Sequence, residues 1–425
     1  MRLDAAEAVR RGAQALECAR RGGLWQGFPT LAGMSDEWVS GFVLTHLAPT
    51  EASDVDADAA RSLLARRQRE TGGWGFGPAV PADADSTAWS LMALRDTLPG
   101  ADVARALDAL ELHRVGDAYA TYRPGAGIED FIGARAGGAP GWTSPHPDVT
   151  AAVLLATQPL ITGQVPRPSE ASASSDRADD DAVSGSPEPT SPAVPAAARF
   201  ETSLRWLVAC ADATGLVPSY WWRGMLYASA LTLRLLEQAG RRAPEAWERA
   251  AVEGLVRLQT PSGGYRLGSD PDHDAFTTAL ALECWCRLAH LDDDGRRDRV
   301  ADALLTMQDA GGAWSGGYVL RLPAPDVTDP ARVSGWRRGA GGGNAFVPDP
   351  GGVFATAVAV HSLDLWSRPA AGPGGEPGGR GVVDPAQPTR GADETLVHAG
   401  PPETAAPSAS SPPVPRDWLT PPVSS

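Results

Sequence analysis

The chain has 425 residues, 52 of them acidic and 37 basic, and its net charge of −15 leaves no basic field to gather nucleic-acid phosphates. Every one of the 37 bases is arginine, and the lack of lysine excludes Schiff-base chemistry and a P-loop. Four cysteines over this length are too few for a disulfide scaffold and point to a reducing, cytoplasmic compartment.

In chain order, Met1 to Arg21 is charged and amphipathic and lacks the apolar run of a signal peptide. No window reaches the ~18 apolar residues that a membrane-spanning helix needs. Amphipathic helices are expected over Asp4 to Arg20, Ala57 to Gln68, Ala101 to His113, Phe200 to Asp212, Pro244 to Gln259 and Arg296 to Gln308. Small-residue turns closed by an aromatic recur: Gln68-x3-Gly72-x-Trp74, Gln308-x3-Gly312-x-Trp314, and Gln259 followed by Gly263 and Tyr265. Gly23-x-Trp25 and Gly141-Trp142 read as weaker relatives. The glycines suit a helix C-terminus, where φ is positive.

A second helix type carries Thr or Ser followed by Ala or Gly, then an apolar run. There are six such marks: Ser40-Gly41, Thr87-Ala88, Thr150-Ala151, Ser229-Ala230, Thr278-Ala279 and Thr356-Ala357. Six amphipathic helices paired with six marked ones predict an all-α (α/α)6 toroid, an inner ring inside an outer one. Residues 1–158 form its first half and 199–368 its second; 159–198 and 369–425, rich in Pro, Ser, Ala and Gly, are expected to be a disordered insert and tail.

Two residues before each mark stand Trp38, Asp85, Asp148, Tyr227, Phe276 and Phe354. Pseudo-symmetry predicts one ring at one height, near the mouth of the barrel. A carboxylic acid among aromatics can protonate an alkene or epoxide, and aromatic faces stabilise the resulting cation by about 0.5–2 kcal/mol. Trp89 and Trp222 lie close by in sequence. Two plainer readings stand beside this one: the aromatics as core, and Asp85 and Asp148 as helix N-caps, with Asp83, Ser86 and Thr87 as rival caps in the first case. Cys284-x-Cys286 looks like half a zinc site, but residues two apart on a helix point to different faces, so no metal site is expected. Asp292-Asp293-Asp294 lies in a turn, which disfavours a Mg²⁺-dependent diphosphate ionisation.

The Gln-x3-Gly-x-Trp turns resemble the QW motifs of squalene–hopene and oxidosqualene cyclases. Asp83-Ala84-Asp85-Ser86-Thr87-Ala88 resembles the acid motif of class II terpene cyclases, Asp-x-Asp-Asp-Thr-Ala, with Ser86 replacing the third Asp. The resemblance implies that Asp85 is the proton donor and that Asp83 helps keep it protonated; Asp148, by its place on the next inner helix, is expected to be a second such neighbour or the terminating base. The ring and its neighbours give an expected substrate site of Trp38, Thr87, Trp89, Tyr227, Phe276, Phe354 and Trp222, and the resemblance implies an apolar isoprenoid as substrate. One toroid implies a chain of roughly fifteen to thirty carbons, drawn from a membrane surface or carrier. The chemistry needs no organic cofactor. Mg²⁺ would accompany a diphosphate head, held by Arg223, Arg266, Arg321, Arg337 or Arg338. The competing expectation is a non-catalytic toroid that binds a lipid or peptide as a scaffold in a biosynthetic pathway. Oligomeric state is not legible.

Overall fold

A computed structural model describes residues 4–48, 50, 57–135, 137–161, 195–267, 274–292, 294–339, 342–368 and 381–382. Among them are thirteen α-helices: α1 (Ala5–Ala19), α2 (Glu37–Leu47), α3 (Ala57–Ala65), α4 (Ala84–Leu94), α5 (Gly100–Glu111), α6 (Ile128–Phe131), α7 (Pro147–Ile161), α8 (Ala196–Ala209), α9 (Leu226–Gln238), α10 (Glu245–Leu258), α11 (Ala275–Arg287), α12 (Arg296–Thr306) and α13 (Val353–Ser367).

The six marked helices contact one another in cyclic order. α2 packs on α4, α4 on α7, α7 on α9, α9 on α11, α11 on α13, and α13 returns to α2. These helices are apolar on nearly every side, as a helix surrounded by protein must be; α13 buries every residue from Val353 to Leu363. The amphipathic helices stand outside. α1 buries a single stripe (Ala5, Ala8, Val9, Gly12, Ala13, Leu16) and lays it on α13. α12 bridges α11 and α13, and α5 and α8 cover α4 and α7.

One hydrogen bond, repeated six times, explains the Thr/Ser mark. Each hydroxyl accepts the backbone N–H of a residue in the preceding turn: Ser40 from Trp25 (3.0 Å), Thr87 from Trp74 (3.0 Å), Thr150 from Tyr119 (3.0 Å), Ser229 from Val217 (2.8 Å), Thr278 from Tyr265 (3.0 Å) and Thr356 from Trp314 (2.9 Å). The turn aromatic then reaches back to the outer helix. Trp25, Trp74 and Trp314 donate their indole N–H to the carbonyls of Leu16, Leu64 and Leu304, and the Tyr265 hydroxyl donates to that of Leu255.

The small residue after the mark lets helices approach. A Cβ on Gly41 would lie 2.8 Å from the Ser90 amide nitrogen. The glutamines tie neighbouring repeats. The Gln68 amide donates to the Gly72 carbonyl (2.8 Å) and to that of Asp102 (2.9 Å). That of Gln308 donates to Gly312 (3.0 Å) and to Ala8 (2.8 Å), joining the last turn to the first helix. Thr356→Val keeps the side-chain volume but orphans the buried Trp314 N–H. It is expected to cost about 1–3 kcal/mol in urea unfolding, and a loss below about 0.5 kcal/mol would show the tie to be dispensable.

The structure corrects several expectations. The third and fourth turns are closed by Tyr119 and Val217, not by Gly141-Trp142. Val217 escaped the pattern because only the backbone N–H is needed there. Trp142 belongs instead to a separate apolar cluster with Tyr122, Ile128, Ile132, Ala139 and Tyr220. Residues 159–161 continue α7, and α8 starts at Ala196 rather than Phe200; 162–194 lie outside the described residues. In the tail, Gly381–Val382 pairs in parallel with Arg241–Arg242, and the rest of 369–425 lies outside the described residues.

Candidate active site

The residues two places before the marks come together as the repeat requires. Phe354 touches Trp38 (ring centroids 4.9 Å) and Phe276 (6.5 Å), and Phe276 faces Tyr227 (6.3 Å). Asp85 and Asp148 lie near enough to each other and to Tyr227 to interact electrostatically. The six inner helices thus deliver six side chains to one region, four aromatic and two acidic.

The helix-cap question is resolved by Asp83. It is the N-cap of α4; its Oδ1 accepts the Ser86 N–H (2.7 Å) and its Oδ2 the Ser86 hydroxyl (2.7 Å). Asp274 caps α11 in the same way, accepting from the Phe276 N–H (2.8 Å) and the Thr277 hydroxyl (2.9 Å). An acid four places before the mark is therefore a repeated structural device. Two places before the mark, α11 carries Phe276 where α4 carries Asp85, so the acid at this second position has no counterpart there.

Asp85 is buried, and its Oδ1 has no hydrogen-bond partner. Burial pushes its carboxyl well above the usual range, and the neighbouring Asp83 and Asp148 push it further. The indole N–H groups of Trp38 and Trp89 face it and moderate the rise, although neither reaches hydrogen-bond geometry. Burial also raises Asp83, to about 6, despite the Ser86 hydrogen bonds. The Tyr227 hydroxyl, the two indole N–H groups and one oxygen each of Asp85 and Asp148 are all buried without a partner. Buried polar atoms are rarely left so, and these five stand out from the apolar core around them.

Asp148 is not a solvent-facing cap either. Its Oδ2 accepts the backbone N–H groups of Tyr220 (3.0 Å) and Trp221 (2.9 Å), pinning the loop before α9. Burial raises its pKa, and those hydrogen bonds and the Arg321 guanidinium oppose the rise. The loop is fixed again by the Trp221 indole N–H, which donates to the Thr121 hydroxyl (2.7 Å). Thr121 in turn meets His146 Nδ1 (2.9 Å). Burial lowers the His146 pKa to about 3, so the ring is neutral at neutral pH.

Asp83, Asp85 and Ser86 face an apolar cavity of about 740 Å³, its open mouth included. Its walls are Thr30 to Ala32, Trp38, Phe76, Val80, Thr121, Tyr122, Ile128 and Phe131 of α6, Trp142, Trp221, Leu320 and Leu322. Of the aromatics expected to bind substrate, Trp38 lines this cavity. Trp222, Tyr227, Phe276 and Phe354 do not; they stack into a plug along the barrel axis, with Trp222 on Tyr227 (4.3 Å) and on Phe276 (4.9 Å). Phe28 and Phe42 complete the plug, each against Phe354 (4.8 and 3.8 Å). Trp89 packs on Phe42 (4.7 Å) behind Asp85, and the Thr87 hydroxyl is spent on Trp74.

Sequence reasoning missed Phe28, Phe76, Tyr122, Ile128, Phe131, Leu320 and Leu322. Only Phe28 carries a local anomaly, a positive φ of 49° on a buried aromatic, and that is invisible in sequence. The arginines expected to hold a diphosphate do not line the cavity. Arg223 donates to the Tyr318 carbonyl (2.9 Å) and lies over the Phe346 ring (4.2 Å). Arg321 donates to the Ser219 carbonyl, and Arg337 to that of Gly343 (3.1 Å). Cys284 and Cys286 are both free thiols on α11, and among the described residues no group of three or more His, Cys, Asp or Glu is placed to hold a metal ion. No helix among them is long and apolar enough to cross a membrane.

No family model and no curated protein matches this sequence. Solved structures do. A protein from Actinoplanes is 26% identical, with 85% of this chain and 99% of that one covered and a TM-score of 0.65. The type II terpene cyclase MstE from Scytonema, without ligand, is 24% identical over 85% of this chain and 97% of that one, with a TM-score of 0.67. A variant of MstE in complex with its product, merosterolic acid A, is 25% identical over 85% and 96%, again with a TM-score of 0.67. The chain has a terpene cyclase-like helical fold.

Proposed function

We propose that the protein is a class II, protonation-initiated cyclase of an isoprenoid, built as an (α/α)6 toroid with QW-type ties. The observation that carries this reading is Asp85: a buried carboxyl with an unpaired oxygen, held protonated by its surroundings, at the wall of an apolar cavity. The Asp85 proton is transferred to a terminal alkene carbon, whose π electrons form the new C–H bond. The adjacent carbon becomes a cation that the next alkene attacks, closing a ring. Loss of a proton from the last cation leaves an isomer of the substrate.

Trp38, Phe76, Trp142 and Trp221 present aromatic faces to these cations, each worth about 0.5–2 kcal/mol with water excluded. The N-terminus of α4, in whose first turn Asp85 sits, favours the carboxylate left behind. Water at the open mouth of the cavity takes the departing proton, while Asp148, which does not line the cavity, acts on Asp85 through its charge. The substrate of an MstE variant in another complex, geranylgeranyl dihydroxybenzoate, carries a polyprenyl chain, which accords with this reading. The scaffold alternative is less favoured, because a surface that only binds has no need of a buried, unpaired acid.

The test is to incubate the protein with isoprenoids and look for cyclic isomers by mass spectrometry; no product from any chain length would overturn the reading. The pH dependence is a separate check. The donor must be protonated, so the rate holds at low pH and falls as pH rises through the Asp85 ionisation. Asp83→Asn removes one like charge. It is expected to move that alkaline limb to lower pH, and an unmoved limb would remove Asp83 from the acid's electrostatics.

A further inference from the structure

We propose that the cavity beside Asp85 takes an uncharged isoprenoid, a polyprenyl chain whose head is a hydrocarbon, alcohol or ester rather than a diphosphate or carboxylate. This rests on the cyclase reading of the same cavity and narrows its substrate. The wall is apolar except for a few hydroxyls and the two carboxyl groups of Asp83 and Asp85, and no arginine or histidine among the described residues lines it. An anion placed here would be desolvated with no guanidinium or imidazole in the wall to meet it, and would stand beside acids.

The cations nearby are turned away by the backbone that positions them. In the strand Leu320–Leu322, side chains alternate between faces. Leu320 and Leu322 face the cavity, while Arg321 points to the far side, donating to the Ser219 carbonyl and interacting with Asp148. Arg69 lies behind the wall formed by Phe76 and Val80. There it is held by Glu37 (2.7 Å) and by the carbonyls of Gly77 and Val80 (both 2.9 Å). Arg223 and Arg338 are laid on the rings of Phe346 and Tyr318. A neutral chain meets no such penalty and gains with every CH₂ it buries.

The experiment measures binding to the full chain carrying Asp85→Asn, which cannot turn substrate over but keeps the neutral shape of the protonated acid. Quenching of tryptophan fluorescence reports occupancy, because Trp38, Trp142 and Trp221 line the cavity. The ligands are geranylgeraniol, geranylgeranoic acid and geranylgeranyl diphosphate at low and high salt, all below their aggregation concentrations. The alcohol is expected to bind about tenfold tighter than either anion, or more, with little salt dependence. Equal or tighter binding of the acid or the diphosphate, weakened by salt, would overturn the proposal, and so would no binding by any of the three. Turnover by the unmodified protein is scored separately. A neutral preference without cyclisation would sink the cyclase reading alone, and cyclisation with an anionic preference would sink this one alone.

Discussion

Asp85→Asn is expected to lower cyclisation by about 10²–10⁴-fold or more, the contribution of a positioned general acid, in a protein that remains folded. The amide keeps the shape of the acid and removes the transferable proton. Stability should hold or rise at neutral pH. A carboxyl whose folded pKa is raised costs stability at any pH above its unfolded value, and the burial of Asp85 raises it well above the usual range. Circular dichroism and thermal melting would separate a chemical loss from a folding loss. Asp148→Asn should be milder. An amide oxygen can still accept the Tyr220 and Trp221 N–H groups that Asp148 Oδ2 accepts, so the loop is kept and only a charge that raises Asp85 is lost. If Asp85→Asn cyclised normally while Asp148→Asn did not, the assignment of Asp85 as the donor would be overturned.

The largest effect on stability is expected at Glu283, deeper in the barrel and outside the candidate site. It is fully buried on α11, and its Oε1 accepts from Arg234 Nε of α9 (2.8 Å). The Arg287 guanidinium lies 3.3 Å from the same oxygen. Arg234 also reaches His46 Nε2 on α2 (3.2 Å), so one carboxylate organises three inner helices. Glu283→Ala would strand the buried Arg234 guanidinium and leave Arg287 with Glu237 (3.2 Å) as its remaining carboxylate, at a cost of about 3–5 kcal/mol in denaturant unfolding; a loss under about 1 kcal/mol would show that water or a rearranged partner replaces it.

The sign of the pH dependence follows from the same contacts. Burial alone would raise the Glu283 pKa, but Arg234 and Arg287 overcome it and hold the carboxyl well below the usual range. Its stabilisation is therefore complete above an unfolded glutamate pKa of roughly 4.3 and is lost as pH falls below that value. Acid unfolding should begin at higher pH in the unmodified protein than its other groups alone would dictate, and that portion of the curve should vanish in Glu283→Ala.

The helical class and the identity of the inner helices were legible because they repeat. Ser40, Thr87, Thr150, Ser229, Thr278 and Thr356 stand out as a period, and the backbone ties give that period its physical cause. The same period marked Asp85 as an acid where other repeats carry aromatics. It could not say whether Tyr227, Phe276 and Phe354 line an empty barrel or fill it. A hydrophobic stripe reports that a face is buried, not what lies across from it. The contacts of Trp222 with these rings and of Phe28 with Phe354, most of them between segments far apart in sequence, close the axis and shift the cavity toward α4 and α6.

By itself the sequence determined the local terms: helix periodicity, the small residues that allow close packing, and the hydroxyl, glycine and aromatic of each turn. These act within some tens of residues, and six copies make them visible. Tertiary structure decided that Asp83, not Asp85, caps α4, that Leu320 and Leu322 rather than Arg321 face the cavity, and that Trp142 and Trp221 wall it. Each of these depends on which distant segment occupies the space beside a side chain. Burial and pKa are properties of that space, not of the residue that stands in it.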